Sequence, residues 1–109
     1  MADEPVSLDE LPEVPNALAN EHPEVWERYS DLGQACAEAG PIDGETKRLV
    51  KLALAVGAGS EGAVHSHVRR GLEEDIDPET LQHVATLSIP TLGFPTAMAA
   101  RSWIDDELE

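Results

Sequence analysis

The sequence contains a single cysteine, Cys36, so it cannot form a disulfide within the chain. A chain of 109 residues is still long enough for one domain with its own core. Because Cys36 falls at an apolar position of a predicted helix, we expect it to be a buried structural cysteine. One cysteine and no basic-then-apolar leader favour a reducing, cytoplasmic location.

Long apolar runs and basic residues are also scarce. The most apolar stretch, residues 49–56, is interrupted by Lys51 and is shorter than the roughly 18 residues that a membrane-spanning helix needs. Only 7 Lys and Arg stand against 22 Asp and Glu, which gives a formal net charge of −15. Such a charge repels phosphate backbones and anionic lipids, so we expect neither a nucleic-acid nor a membrane partner. The acidity itself is interpreted as favouring solubility.

No segment alternates apolar and polar residues as a half-buried strand does. The start and stop signals along the chain are those of helices. The fold class is therefore predicted to be all-α, with about five helices in residues 21–109. An extended acidic arm that contains prolines is predicted over residues 1–20. Helices are expected to start at Pro23, Asp43, Ser60, Asp77 and after Gly93, with breaks at 40–41 and 57–59. Pro90 is expected to kink or end the fourth helix.

The third predicted helix, from Ser60 to about Glu73, carries two histidines with different surroundings. A turn of 100° per residue places an apolar face inward, with His67 on one flank and Glu61 and His65 on the other. Glu61 and His65 are four residues apart, so their side chains can meet as an acid/base pair, as two metal ligands or as a solvent-facing ion pair. We expect no metal, because a site needs more than two protein ligands as a rule and neither HExxH nor a cysteine cluster is present.

Several segments, in this order and separation, resemble the carboxymuconolactone decarboxylase family, which also contains the alkylhydroperoxidase D-like peroxidases. The segments that carry the resemblance are 49–55, Glu61, 67–69 with Leu72, and 93–100. The resemblance implies an alkylhydroperoxidase D-like helical domain that forms homo-oligomers. It also implies that His67 is the active-site histidine and that Glu61 occupies the position of a glutamate in the decarboxylases.

The resemblance also indicates which chemistry is missing. The peroxidases carry a CxxC thiol pair where this chain has Ser60 and Ala63, and a glutamate where it has Arg48. A peroxidatic mechanism needs a reactive thiolate and a resolving thiol, so alkylhydroperoxidase or peroxiredoxin-type activity is disfavoured.

Five of the seven basic residues fall in the second and third predicted helices, where they could bind a substrate carboxylate. The candidates for this role are Lys51, Arg69 and Arg48, and the alternative is that they form solvated ion pairs. With these features, the resemblance implies a cofactor-free acid/base enzyme, a decarboxylase-like lyase, that acts on a small carboxylated or lactone substrate. His67 would transfer the proton, and Glu61 would assist it. The other hypothesis, a non-catalytic oligomeric ligand-binding or scaffold module, is favoured by the same loss of thiols.

Overall fold

A computed structural model describes residues 13–108 of the chain, and these residues form six α-helices and no strand. The helices are α1 (Glu13–Glu21), α2 (Pro23–Glu38), α3 (Gly44–Ala58), α4 (Glu61–Glu73), α5 (Pro78–Leu92) and α6 (Phe94–Asp106). They belong to two compact units, one up to Asp43 and the other from Gly44 onwards. The all-α prediction is confirmed.

The first unit contains α1 and α2. The prediction of an extended conformation for residues 1–20 is wrong from Glu13 onwards, where α1 begins. Pro15 is compatible with this helix because it lies in the first turn, where backbone N–H groups have no partner within the helix. Residues 1–12 lie outside the described part of the chain. The domain boundary at residue 21 stays a prediction.

Helix α2 begins at Pro23 as expected, but it contains no buried residue. Its apolar stripe of Val25, Tyr29 and Leu32 is exposed, and Cys36 is exposed as well. The prediction of a buried Cys36 is therefore wrong. Within its unit α2 packs against α1, which at nine residues is too short to cover the whole stripe.

The second unit packs α3, α4, α5 and α6 around one core. Each helix contributes residues that are nearly or fully inaccessible to solvent: Leu52 and Val56, Val64 and Val68, Leu81 and Ala85, and Ala100 and Ile104. Helices α4 and α5 approach closely at Gly71, where a Cβ atom would come within 3.0 Å of Leu81 Cδ2. A glycine at this point lets the backbone of α4 come close to the side chain of Leu81.

The connection from α5 to α6 consists of Gly93 alone. Its φ of 94° is a conformation that residues with a Cβ rarely adopt. Pro90 is expected to kink or end α5, but the helix continues through Pro90 to Leu92, so Pro90 does not end it. Pro90 lies in the last turn, so the helix loses only the hydrogen bond that the missing N–H group of Pro90 would donate. Among the described residues, no helix is long and apolar enough to cross a bilayer.

A hydrogen bond from Gln82 to Asp105 also joins α5 to α6, beside an ion pair within α6. Asp105 accepts hydrogen bonds from Arg101 Nε at 2.9 Å and from Gln82 Nε2 at 3.0 Å. Partial burial raises the pKa of Asp105, but the two hydrogen bonds and the charge of Arg101 outweigh it, so that the pKa is lowered from its ordinary value of 3.8.

A carboxylate with a lowered folded-state pKa stabilises the protein above its unfolded pKa, and this contribution is lost as the pH falls through the folded value. We expect Asp105→Asn to lower the free energy of unfolding at pH 7 by less than about 1 kcal/mol, because the side chain is partly exposed. The difference from the wild type should shrink below pH 4, as measured by urea denaturation across pH. A difference that grows as the pH falls would contradict this assignment.

Candidate functional site

Helix α4 carries the predicted site residues, and Ser60 sets where it begins. Ser60 has an extended backbone, and its Oγ accepts a hydrogen bond from the N–H of Ala63 at 3.3 Å, as an N-cap residue does. The partly buried Ala63 packs against the core. Ser60 and Ala63, the two positions predicted to replace a thiol pair, therefore both have a structural role.

The apolar face of α4 points into the core as predicted. Val64 and Val68 are fully buried, and Leu72 packs against them. His65 and His67 are two residues apart, so they are rotated by about 200° around the helix axis and flank this face on opposite sides. His67 contacts α3, whereas His65 contacts the end of α6. The prediction that the two histidines have different environments is confirmed.

His67 is held by an arginine that is itself held by a glutamate. Nη1 of Arg48 lies 2.8 Å from Nδ1 of His67. The same guanidinium donates through Nε and Nη2 to the two carboxylate oxygens of Glu74, at 3.0 and 2.8 Å. Arg48 is only 1% exposed, whereas the side chain of Glu74 is 44% exposed. The three residues form a chain of contacts in which the buried Arg48 lies between His67 and Glu74. We call this group the His67 chain.

The His67 chain determines which ring nitrogen of His67 carries a proton. A guanidinium has only N–H donors, so Nδ1 of His67 must accept the hydrogen bond from Arg48. A neutral imidazole that accepts at Nδ1 carries its proton on Nε2. In this geometry, Nε2 is the nitrogen that can donate a hydrogen bond.

His65 lies at the centre of a second group, the His65 cluster, made of Glu61, His65, Asp106 and Glu107. Nε2 of His65 is 3.1 Å from Oδ2 of Asp106 and 3.9 Å from Oε2 of Glu61. Nδ1 of the same ring is 3.9 Å from Oε2 of Glu107, which accepts a hydrogen bond from Arg69 at 3.3 Å. The cluster joins the first turns of α4 to the end of α6.

The predicted site residues therefore divide between two places. Glu61 and His65 meet, as their spacing predicts, and Arg69 lies on their side of α4 beside Glu107. His67 is instead paired with Arg48. Lys51 lies on α3, one turn after Lys47 and Arg48, and is half-buried.

Three residues of these two groups are not among the sequence-based candidates. Glu74 follows His67 by seven residues, which is two helical turns, so its spacing was a usable signal. Asp106 and Glu107 lie about 40 residues from His65, and no local pattern connects them to it. Their proximity depends on how the end of α6 packs against α4.

Comparison with known proteins gives one positive result. The family model described as "Carboxymuconolactone decarboxylase family" matches residues 23–106, which include all of α2 to α6 and both groups around the histidines except Glu107. A search of curated proteins and a search of solved structures each found no match.

Proposed function

Because the chain belongs to the carboxymuconolactone decarboxylase family, we propose that it is a cofactor-free acid/base enzyme that acts on a small carboxylated or lactone substrate. The observation that carries this proposal is the contact between Arg48 and Nδ1 of His67, which orients the imidazole and assigns its proton to Nε2. An oriented imidazole with a defined proton is what a proton-transferring residue requires.

His67 has a simple role in such a reaction. When the bond between the substrate carbon and its carboxylate breaks, carbon dioxide leaves and the electron pair is delocalised into an adjacent carbonyl or alkene. The Nε2–H group of His67 first donates a hydrogen bond to the developing negative charge and then transfers its proton to the carbon. Water then returns a proton to Nε2. Transfer of this proton leaves the ring of His67 as an imidazolate. Arg48 stabilises the imidazolate, because a cation beside Nδ1 favours the negatively charged ring.

Arg48 and Glu74 are assigned a positioning role. All three nitrogens of the Arg48 guanidinium are engaged by Glu74 and His67, so binding a substrate carboxylate would require it to exchange partners. Lys51 is a further candidate for that carboxylate, because it lies on α3 one turn after Arg48. Arg69 would have to leave Glu107 to take part. Glu61 and His65 are assigned to their own cluster and not to the proton transfer at His67.

Self-association in the cytoplasm is part of the proposal. The second unit exposes several large apolar side chains, among them Leu54, Leu87 and Phe94, which are each more than 60% accessible. Apolar residues exposed in this way are typical of subunit contacts when they form patches. Sedimentation equilibrium would measure the oligomer number directly.

The alternative is a non-catalytic ligand-binding or scaffold module. It is favoured by the structural roles of Ser60 and Ala63, which occupy the positions of the thiols. Peroxidase activity is not supported, because Ser60 and Ala63 offer no thiol and Cys36 is on a helix of the other unit.

Ligand-induced stabilisation tests the proposal. We expect carboxymuconolactone to raise the Tm in a concentration-dependent manner. At 100 times its Kd, the free energy of unfolding should increase by about 2.7 kcal/mol. Turnover is measured in parallel as released carbon dioxide. The matched control is the methyl ester of the same compound, which lacks the negative charge and should shift the Tm less.

The combination of outcomes separates the hypotheses. Stabilisation with release of carbon dioxide supports the enzyme. Stabilisation without turnover supports the binding module. If neither carboxymuconolactone nor a panel of small carboxylates and lactones shifts the Tm, the proposed substrate class is wrong.

A further inference from the structure

We propose that Glu61, His65 and Asp106 form a binding site for a divalent metal ion of the zinc class. The sequence offers only Glu61 and His65 as ligands, and two protein ligands are too few for a metal site as a rule. The fold adds a third ligand, Asp106, from the end of α6. One ligand atom from each of the three residues lies within 4.8 Å of the others. This site is separate from the His67 chain, and it does not depend on the proposed decarboxylase function.

The distances between the ligand atoms are close to those of a bound state. Zinc binds imidazole nitrogen and carboxylate oxygen at about 2.0–2.2 Å, and in a tetrahedral site this places neighbouring ligand atoms about 3.3–3.6 Å apart. Nε2 of His65 is 3.1 Å from Asp106 and 3.9 Å from Glu61. The side chains of Glu61 and Asp106 are both 57% exposed, so they can make the remaining adjustment without disturbing the core.

The surroundings of His65 also suit a metal-bound imidazole. A histidine that binds a metal through one nitrogen usually directs its other N–H group to a carboxylate or carbonyl, which sets the tautomer. Here Nδ1 lies 3.9 Å from Glu107 Oε2, so Glu107 is a nearby negative charge beyond hydrogen-bond distance, while Nε2 contacts Asp106 at 3.1 Å and faces Glu61 at 3.9 Å. Arg69 contacts Glu107 at 3.3 Å and restrains it in this position. The ring is therefore oriented with Nε2 towards the proposed metal.

Charge favours a divalent cation at this point. Glu61, Asp106 and Glu107 supply three negative charges around the imidazole, and Arg69 supplies one positive charge. With a neutral His65 the group carries a charge of −2, which a divalent ion neutralises. A protonated His65 would still leave one negative charge uncompensated. The net charge of −15 for the whole chain further attracts cations.

The donor set selects the class of metal. Imidazole combined with carboxylates suits zinc and its neighbours in the first transition row, whereas calcium and magnesium prefer oxygen ligands alone. Three protein ligands leave a fourth position for water, as in catalytic zinc sites.

Isothermal titration with Zn²⁺ at pH 7 tests this site. The wild type should bind one Zn²⁺ per chain, and His65→Ala and Asp106→Asn should each weaken binding by at least tenfold. Glu107→Gln should weaken it by less than tenfold, because it removes a nearby negative charge but no metal ligand. The matched controls are His83→Ala, which removes an exposed histidine elsewhere, and Cys36→Ser, and both should bind as the wild type does.

Two further measurements keep the outcome unambiguous. Circular dichroism establishes that each variant is folded, and the visible absorption of bound Co²⁺ reports coordination by nitrogen and oxygen ligands. The proposal is overturned if His65→Ala binds Zn²⁺ as tightly as the wild type, or if the folded wild type does not bind it at millimolar concentration. It is equally overturned if Mg²⁺ competes with Zn²⁺ at comparable concentrations.

Discussion

His67→Gln should lower kcat for release of carbon dioxide by about 10²- to 10⁴-fold, which is the usual contribution of a general acid or base. The side-chain oxygen of glutamine can still accept a hydrogen bond from Arg48, but the amide cannot transfer a proton. The fold should therefore tolerate this change while the chemistry does not. His67→Ala should lower kcat similarly and also cost about 1–3 kcal/mol of stability, because Nη1 of Arg48 loses its acceptor.

The matched control is His83→Gln, which changes an exposed histidine on α5 and should leave kcat unchanged. Rates are compared at saturating substrate, and urea denaturation gives the stability of each variant. If His67→Gln retains kcat within a factor of about three while it is folded, His67 does not transfer the proton. A loss of activity accompanied by unfolding would point to a structural role of His67. A loss of activity in folded His67→Gln would point to a catalytic role.

Glu74→Ala should destabilise the protein by about 3 kcal/mol, although Glu74 is partly exposed, because the change removes a bidentate carboxylate from the buried Arg48. Removing one member of a buried ion pair costs more than removing both, since the remaining charge stays desolvated. We therefore expect the double variant Arg48→Met with Glu74→Ala to recover at least half of the lost stability. Chemical denaturation of the two single variants and the double variant completes the cycle.

Glu73→Ala is the matched control for this cycle. Glu73 is adjacent in the sequence, is exposed, and should change the free energy of unfolding by no more than about 0.5 kcal/mol. The assignment would be contradicted if the effects of Arg48→Met and Glu74→Ala on the free energy of unfolding were additive in the double variant. If Glu74 positions Arg48 and thereby His67, Glu74→Ala should lower kcat as well.

The two groups of residues on α4 suggest different tasks for one helix. The His67 chain is anchored by a buried arginine and defines a single tautomer, whereas the His65 cluster is accessible and rich in carboxylates. The first suits proton transfer and the second suits a cation. The tests above are independent, because Zn²⁺ binding is measured without substrate and turnover is measured without metal.

Helix starts and ends were predictable from the sequence because they depend on local chemistry. Ser60 accepts a hydrogen bond from the first turn of α4, Pro78 lies at the start of α5, and Gly93 adopts a positive φ between two helices. The inward face of α4 also followed from its periodicity, since 3.6 residues per turn place Val64 and Val68 on one side. The all-α class and the family segments depend on the same short-range patterns.

Tertiary packing decided what local patterns could not. The exposure of Cys36 depends on which helices cover α2, and the burial of Arg48 depends on partners from α4 that lie 19 and 26 residues away in the chain. The position of Asp106 beside His65 depends on the packing of α6, because 41 residues separate the two. Apolar periodicity alone would place a charged Arg48 at the surface, and the hydrogen bonds with Glu74 and His67 offset the cost of burying its charge. The sequence by itself thus determined the five helices α2 to α6 and the candidate residues, while the tertiary structure decided which of those residues meet.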